Sequence, residues 1–243
     1  MNKIAMLLLL PGLCFAENTI DLTLNQVSLT NWSRSGQEAL SWNLQLHGDN
    51  VLDNEIVSLD IKYKAEFGQS KIGEEGFRKT NDRFRGDAQL NNATSFFIDP
   101  FVAATVKTQI APGYDYNPKR KVSEFGNPFD LSYSAGYGFS HGVLQSRVGF
   151  SIHQIYKDDN WDTKKGGESV TTINWKASES LTVTGRGEVF FHGPDLTRRY
   201  QTETGVRYQV GIISILLSVE TLHEDDSDVE VRQTLGLGIG WKL

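Results

Sequence analysis

Residues 130–153 read DLSYSAGYGFSHGVLQSRVGFSIH, and this one stretch carries the argument about fold. Leu131, Tyr133, Ala135, Tyr137 and Phe139 alternate with Asp130, Ser132, Ser134, Gly136 and Gly138. After His141-Gly142 the alternation resumes, with Val148, Phe150 and Ile152 set against Arg147, Gly149, Ser151 and His153. A side-chain period of two is the signature of a strand with one apolar and one polar face, and the two residues between the runs suit a tight hairpin turn. The same pattern recurs outward in both directions. Leu40, Trp42, Leu44 and Leu46 oppose Ser41, Asn43, Gln45 and His47; Leu59, Ile61, Tyr63, Ala65 and Phe67 oppose Asp60, Lys62, Lys64 and Glu66. At the C-terminal end Leu235, Leu237, Ile239, Trp241 and Leu243 oppose Thr234, Gly236, Gly238, Gly240 and Lys242. No segment of comparable length shows the 3.6-residue spacing of an amphipathic helix. The chain is therefore expected to be all-β.

Such runs predict about twelve strands, near residues 18–29, 38–48, 55–68, 81–91, 95–110, 127–140, 143–156, 168–178, 180–192, 199–209, 211–222 and 229–243. Short connections follow the even-numbered strands, at Asn92–Thr94, His141–Gly142, Ser178–Glu179 and Val210. Long ones follow odd-numbered strands, at Gln69–Thr80, Ala111–Gly126, Tyr156–Gly167, Gly193–Arg198 and His223–Asp228, and Gly48–Asn54 is an exception on the short side. Loops sorted by length to opposite ends, with an even strand count, are the pattern of an outer-membrane barrel. The polar face also carries fixed charges on nearly every strand, which suits a wet or salt-bridged lumen and an apolar exterior. The expected architecture is a single closed antiparallel transmembrane β-barrel of about 12 strands.

Composition removes other classes. Mean hydropathy is -0.35, and the longest interior apolar run, Ile212–Val219, is far below the ~20 residues of a spanning helix. With 13 Phe, 8 Tyr, 5 Trp and 23 Gly, the chain is not of the disordered type. A formal charge of -6 without clustered Lys and Arg argues against nucleic acid as a partner. The opening MNKIAMLLLLPGLCFA, with Lys3, an apolar stretch from Ile4 to Leu10 and a small Ala16, reads as a secretory signal peptide over residues 1–16, leaving 17–243 for the barrel. The single cysteine, Cys14, lies in that leader, so an exported mature chain must be held by hydrogen bonds and packing rather than disulfides.

Two segments carry a resemblance. LTNWSRSGQEALSWNLQL, Leu29–Leu46, resembles the Asn-Trp, Gly and Ser-rich first hairpin of an uncharacterised family of small outer-membrane β-barrels from Gram-negative bacteria. KTQIAPGYDY, Lys107–Tyr116, is similar to that family's central strand running into an exposed loop; Ser35 stands where the first of two glycines is expected. The resemblance implies an outer-membrane address and a barrel, and brings no substrate or activity. The terminal LGLGIGWKL is similar to the last strand that barrel-insertion machinery reads, with Trp241 two places early and Leu243 as the final residue.

Function is sought first in the lumen. Arg85, Asp87, Lys107, Arg147, Arg186, Glu188, Glu203, Arg207, Glu220 and Arg232 fall on the polar face and are expected to form a charge ladder between neighbouring strands, because buried charges must be paired or hydrated. Such a ladder can act as a selectivity constriction or simply close the barrel. Phe129 and Phe139, ten residues apart on one face, would stand ~25 Å apart along the membrane normal, the height between aromatic girdles. Tyr200, Tyr208 and Trp241 are the other girdle residues expected. Ser151, His153 and Asn174 share the lumen face and invite comparison with a hydrolytic set, but no lipid ester reaches a lumen. The remaining histidines have no ligand spacing, so neither metal nor cofactor is expected. The acidic Asp158, Asp159, Asp162 and His223–Glu230 stretches lack the spacing of a calcium loop.

The sequence thus predicts a non-enzymatic barrel of the cell outer membrane, a narrow channel or surface structural protein, whose partners are membrane lipid, lipopolysaccharide and the insertion machinery. The alternatives are a lipid- or lipopolysaccharide-modifying enzyme and a soluble periplasmic β-sandwich that binds a ligand. The mature chain should begin at Glu17, which N-terminal sequencing of the exported protein reads directly; a retained leader would contradict the assignment.

Overall fold

A computed structural model describes residues 17–27, 39–72, 76–92, 98–116, 119–157, 159–193, 197–224 and 228–242. Fourteen strands follow one another: β1 Glu17–Val27, β2 Ala39–Asp53, β3 Val57–Ile72, β4 Arg78–Asn92, β5 Asp99–Thr108, β6 Gly113–Tyr116, β7 Lys119–Ser123, β8 Phe129–His141, β9 Leu144–Lys157, β10 Asn160–Lys176, β11 Leu181–His192, β12 Thr197–Val210, β13 Ile213–Glu224 and β14 Glu230–Lys242. Twelve of them form a closed antiparallel barrel in the order β1-β14-β13-β12-β11-β10-β9-β8-β5-β4-β3-β2, while β6 and β7 make a separate hairpin. Closure comes from β1, which pairs with β2 from Glu17↔Asp49 to Val27↔Ala39 and with β14 from Thr19↔Lys242 to Leu24↔Leu237.

The polarity is inverted relative to a water-soluble core. Leu235 is 66% exposed and Leu237 59%, and Ile213, Ile215, Leu217, Val148 and Phe150 are likewise exposed, whereas Glu66 is 2% and Asp21 1% exposed. Apolar residues therefore jacket the ring and polar ones fill it, as the alternation requires once the sheet closes on itself. A two-sheet sandwich, which buries its apolar face between layers, is not what forms.

Several boundaries move. β2 and β3 pair as far as Asp53↔Ser58, so all of the exceptional connection Gly48–Asn54 except Asn54 is strand, and the turn is only residues 54–56. Asn54 makes that turn by accepting the amide N–H groups of Ile56 and Val57 on Oδ1, both at 2.8 Å. Most of the expected long loop Tyr156–Gly167 is likewise strand: β9 and β10 pair out to Lys157↔Asn160. Asn-Trp-Asp-Thr-Lys-Lys offers no apolar face for alternation to reveal, yet a backbone ladder needs none. Connections at the end bearing both termini are residues 54–56, 93–98, 142–143, 177–180 and 211–212; those at the other end include 28–38 and 109–128, but also 158–159, only two residues long, so the sorting by length is incomplete. Gly142 and Gly211 sit in such turns at φ +58° and +60°, a backbone that favours glycine.

The 111–126 connection is not a plain loop, because β6 and β7 pair within it. Its root is clamped. Lys79 Nζ donates to Asp82 Oδ2 (2.6 Å), Ser123 Oγ (2.6 Å), the Ala111 carbonyl (2.8 Å) and Gln109 Oε1 (3.1 Å), and Asp82 in turn accepts the amides of Ile110 and Ala111. Residues 29–38 of the Leu29–Leu46 motif and the terminal Leu243 lie outside the described residues, while residues 39–46 of the motif belong to β2.

On the outside, Tyr63 lays its ring on Gly48 and donates its hydroxyl to Asn18 Oδ1. A Cβ at position 48 would overlap that ring, while nothing stands within 4 Å of one at Gly187. Gly48→Ala should therefore displace Tyr63 and cost about 1 kcal/mol through the lost hydrogen bond, and Gly187→Ala should be neutral, as urea unfolding of the detergent-refolded barrel can check.

Candidate functional site in the bore

The charged side chains of the polar face converge inside the ring. Arg85, Asp87, Lys107, Arg147, Arg186, Glu188, Glu203, Arg207, Glu220 and Arg232 each make at least one ion pair there. Some meet a neighbouring strand as expected, Arg232 with Glu220 opposite it on β13 (2.9 Å) and Arg147 with Glu168 of β10 (3.1 Å), and others do not. Arg186 and Glu203 stand opposite each other in the β11–β12 register, but Glu203 pairs with Lys64 of β3, and Arg186 lies 3.4 Å from Asp87 of β4. Arg85 of β4 reaches Glu188 of β11 at 3.0 Å, and Arg83 of β4 pairs with Glu220 of β13. In each of these longer-range pairs the two strands are five apart around the twelve-membered ring, close to diametrically opposite. Long side chains in a closed ring meet across the bore as readily as along the wall, which no strand-by-strand reading anticipates.

The pairs merge into two hubs. Glu188 receives Lys107 (2.7 Å), Arg85 (3.0 Å) and Arg186 (3.5 Å), and Lys107 also donates to Gln201. Glu66 receives Arg83 (2.6 Å), Lys64 (3.0 Å) and Arg232 (3.2 Å); Arg232 also reaches Glu220 (2.9 Å) and Asn81 (2.8 Å). Asp21 takes Arg207. Glu66, Asp21, Lys64, Arg83 and Glu168 were absent from the expected ladder, though period two already puts Lys64, Glu66 and Arg83 on the polar face. Several charges sharing one carboxylate is how buried ions offset their desolvation.

Apolar residues also point inward, among the charges that the alternation placed there. Phe101, Ala103, Val170, Phe190 and Leu216 are buried. The Phe101 ring lies 5.4 Å beneath the Arg147 guanidinium, and Phe190 lies 4.0 Å from the His153 ring centroid. These rings are platforms on which the guanidinium and the imidazole rest.

Ser151, His153 and Asn174 do not assemble. Ser151 is fully buried and donates to Glu168 (3.1 Å), not to the histidine. His153 lies between Asp130 (3.7 Å) and Glu168 (3.6 Å), and Asn174 is exposed near the end of β10, with its amide on the Val143 carbonyl. Among the described residues no three of His, Cys, Asp and Glu gather as a metal set. Phe129 packs with Trp161 (6.4 Å), which also meets Tyr156 (5.3 Å), and Tyr200 stacks with His223 (6.2 Å), all at the end away from the termini. Phe139 and Tyr208 lie toward the terminal end, and Trp241 stands opposite Ile20 with its side chain outside the described part.

A family model described as "protein of unknown function (DUF3078)" matches residues 24–114. No curated protein matches the chain. Among solved structures, the chain is similar to the COG4313 outer membrane channel from Pseudomonas putida F1, with 10% identity over 94% of this chain and 96% of that one, at a TM-score of 0.47. It is also similar to the translocator domain of the autotransporter NalP from Neisseria meningitidis, with 11% identity over 96% and 91% at 0.42, and to a BenF-like porin from Pseudomonas fluorescens Pf-5, with 9% identity over 95% and 100% at 0.35.

Removing one member of a hub strands its partners. Glu188→Gln leaves Lys107, Arg85 and Arg186, each under one-fifth exposed, short of their shared counter-charge. The expected loss is about 3 kcal/mol, read as a lower urea midpoint at unchanged slope.

Proposed function

We propose that the protein is an outer-membrane barrel whose bore is a narrow channel, constricted at mid-depth by its own ion pairs. The observation that carries this reading is the set of charges joined across the ring, Lys64 to Glu203, Arg83 to Glu220 and Arg85 to Glu188, inside a wall whose outer side is apolar. A twelve-stranded ring lies between the eight strands that side chains fill and the sixteen that leave an open aqueous channel, so a few long side chains suffice to obstruct it. The exposed apolar jacket supports a lipid setting, since a patch of that extent facing water would drive aggregation. Aromatic residues near both ends of the strands suit the two interfaces of a bilayer. In that setting the short-turn end with both termini faces the periplasm, and the partners are membrane lipid, lipopolysaccharide and, during assembly, the insertion machinery. Ser151 donates to Glu168 and not to His153, which supports a non-enzymatic reading over a hydrolytic one.

Conductance in planar bilayers tests it. The unaltered protein should pass small currents, with the balance of Arg and Glu setting the ion preference. Lys64→Ala combined with Glu203→Ala removes both members of one pair, which avoids stranding a charge, and should raise conductance several-fold. Silence of both proteins over a range of voltages and salts, with heat-modifiable gel mobility confirming folded barrels, would leave a structural role and remove the channel.

A further inference from the structure

At the end that carries the termini, the bore widens into a cavity of about 430 Å³. Its charges are sorted by depth. Asp53 closes β2, Asp99 opens β5 and Asp60 is the fourth residue of β3, so the mouth is acidic. Farther in lie Lys62, Arg147 and Arg186, with Asp87 as the one acidic lining residue at that depth. Asp87 is already engaged by Arg85 and Thr105, each at 2.7 Å. Arg147 is paired behind the wall with Glu168 (3.1 Å) and Arg186 stands 3.5 Å from Glu188, so what the inner end turns toward the cavity is guanidinium, with its counter-charges set back.

One wall links the two ends by a directed relay. Arg147 Nη1 donates to Gln89 Oε1 (2.7 Å), Gln89 Nε2 to Asn91 Oδ1 (2.7 Å), and Asn91 Nδ2 to Asp60 Oδ2 (3.1 Å). Both amides are oriented with oxygen toward the arginine and nitrogen toward the carboxylate, so their dipoles reinforce the separation of charge. Arg147 is itself 9% exposed and rests on Phe101, a fixed rather than a floppy cation. Arg186 meets its acceptors only at 3.4 and 3.5 Å, geometry that leaves donor capacity for another anion.

A simple anion has to pass the acidic mouth, a simple cation meets the arginines, and a neutral sugar gains nothing from the sorting. The solute that fits is one whose charges are separated in the same order. We propose that this cavity binds short zwitterionic peptides of two or three residues, with the carboxylate toward Arg147 and Arg186 and the ammonium toward Asp60. Such a peptide spans ~7–10 Å when extended, and the volume lies within the ~300–1,000 Å³ of ordinary ligand pockets. The proposal rests on the channel reading for transport but not for binding.

Isothermal titration calorimetry on the full barrel in detergent, with trialanine as probe, decides it. Trialanine should bind saturably, and N-acetyl-trialanine and trialanine amide, each missing one charge, should bind at least tenfold more weakly. Arg186→Gln should remove the preference for trialanine over its amide, and Asp60→Asn, at the mouth and away from both ion-pair hubs, should remove the preference over the acetylated form. Absence of saturable binding, or equal binding of trialanine, its blocked forms and glucose, overturns the proposal. A barrel that conducts without binding sinks this inference alone, whereas one that binds without conducting sinks only the channel.

Discussion

The ladder between β1 and β14, Thr19↔Lys242 to Leu24↔Leu237, is the contact on which everything else depends. Before it forms, the twelve strands are a sheet with two open edges and two faces, each free to meet whatever covers it. After it forms, every strand has two neighbours, and alternate side chains are forced to the inside or the outside. A closed ring has no third option. All charges on the polar face are then brought into one enclosed volume, and all large apolar residues onto one outer wall.

Enclosure changes what the charges are worth. Lys64, Glu66, Arg83 and Glu203 on open strands would be ordinary solvated side chains contributing little. Inside the ring they lose water and must replace it with one another, which explains why Glu66 gathers three cations and Glu188 another three. Each hub draws its cations from more than one strand, so it ties distant parts of the wall together where the backbone ladder ties only neighbours. The inward rings of Phe101 and Phe190 belong to the same economy of space: they fill volume that water would otherwise occupy and fix the orientation of Arg147 and His153.

The two ends of the barrel differ as a result. The middle is crowded with long paired side chains, whereas toward the terminal end the lining shifts to Ser, Asn, Gln and short Asp residues that leave a cavity. Toward the other end the Lys79–Asp82 clamp pins the segment that leads into the β6–β7 hairpin, so this long connection is built as structure. The bore is therefore asymmetric, with a crowded centre and a cavity toward one end.

Read by itself, the chain already shows an all-β ring of twelve strands with its oily residues outside, because a period of two is a local property that each strand displays whether or not it is folded. Leu131 to Phe139 and Leu235 to Ile239 needed no tertiary information to be placed together on one face. Legibility stopped where the outer environment no longer demands apolar residues: Asn160–Lys165 pairs as strand without alternation, and Phe101, Val170 and Phe190 break the polar face because packing inside a ring rewards volume. Arg232 meets Glu220 on the adjoining strand as a ladder predicts, but which charges meet across the bore was decided only by the tertiary structure. Partners such as Lys64 and Glu203, 139 residues apart, are set by ring closure and the curvature of the wall, and a distance across a bore leaves no periodic trace in a sequence.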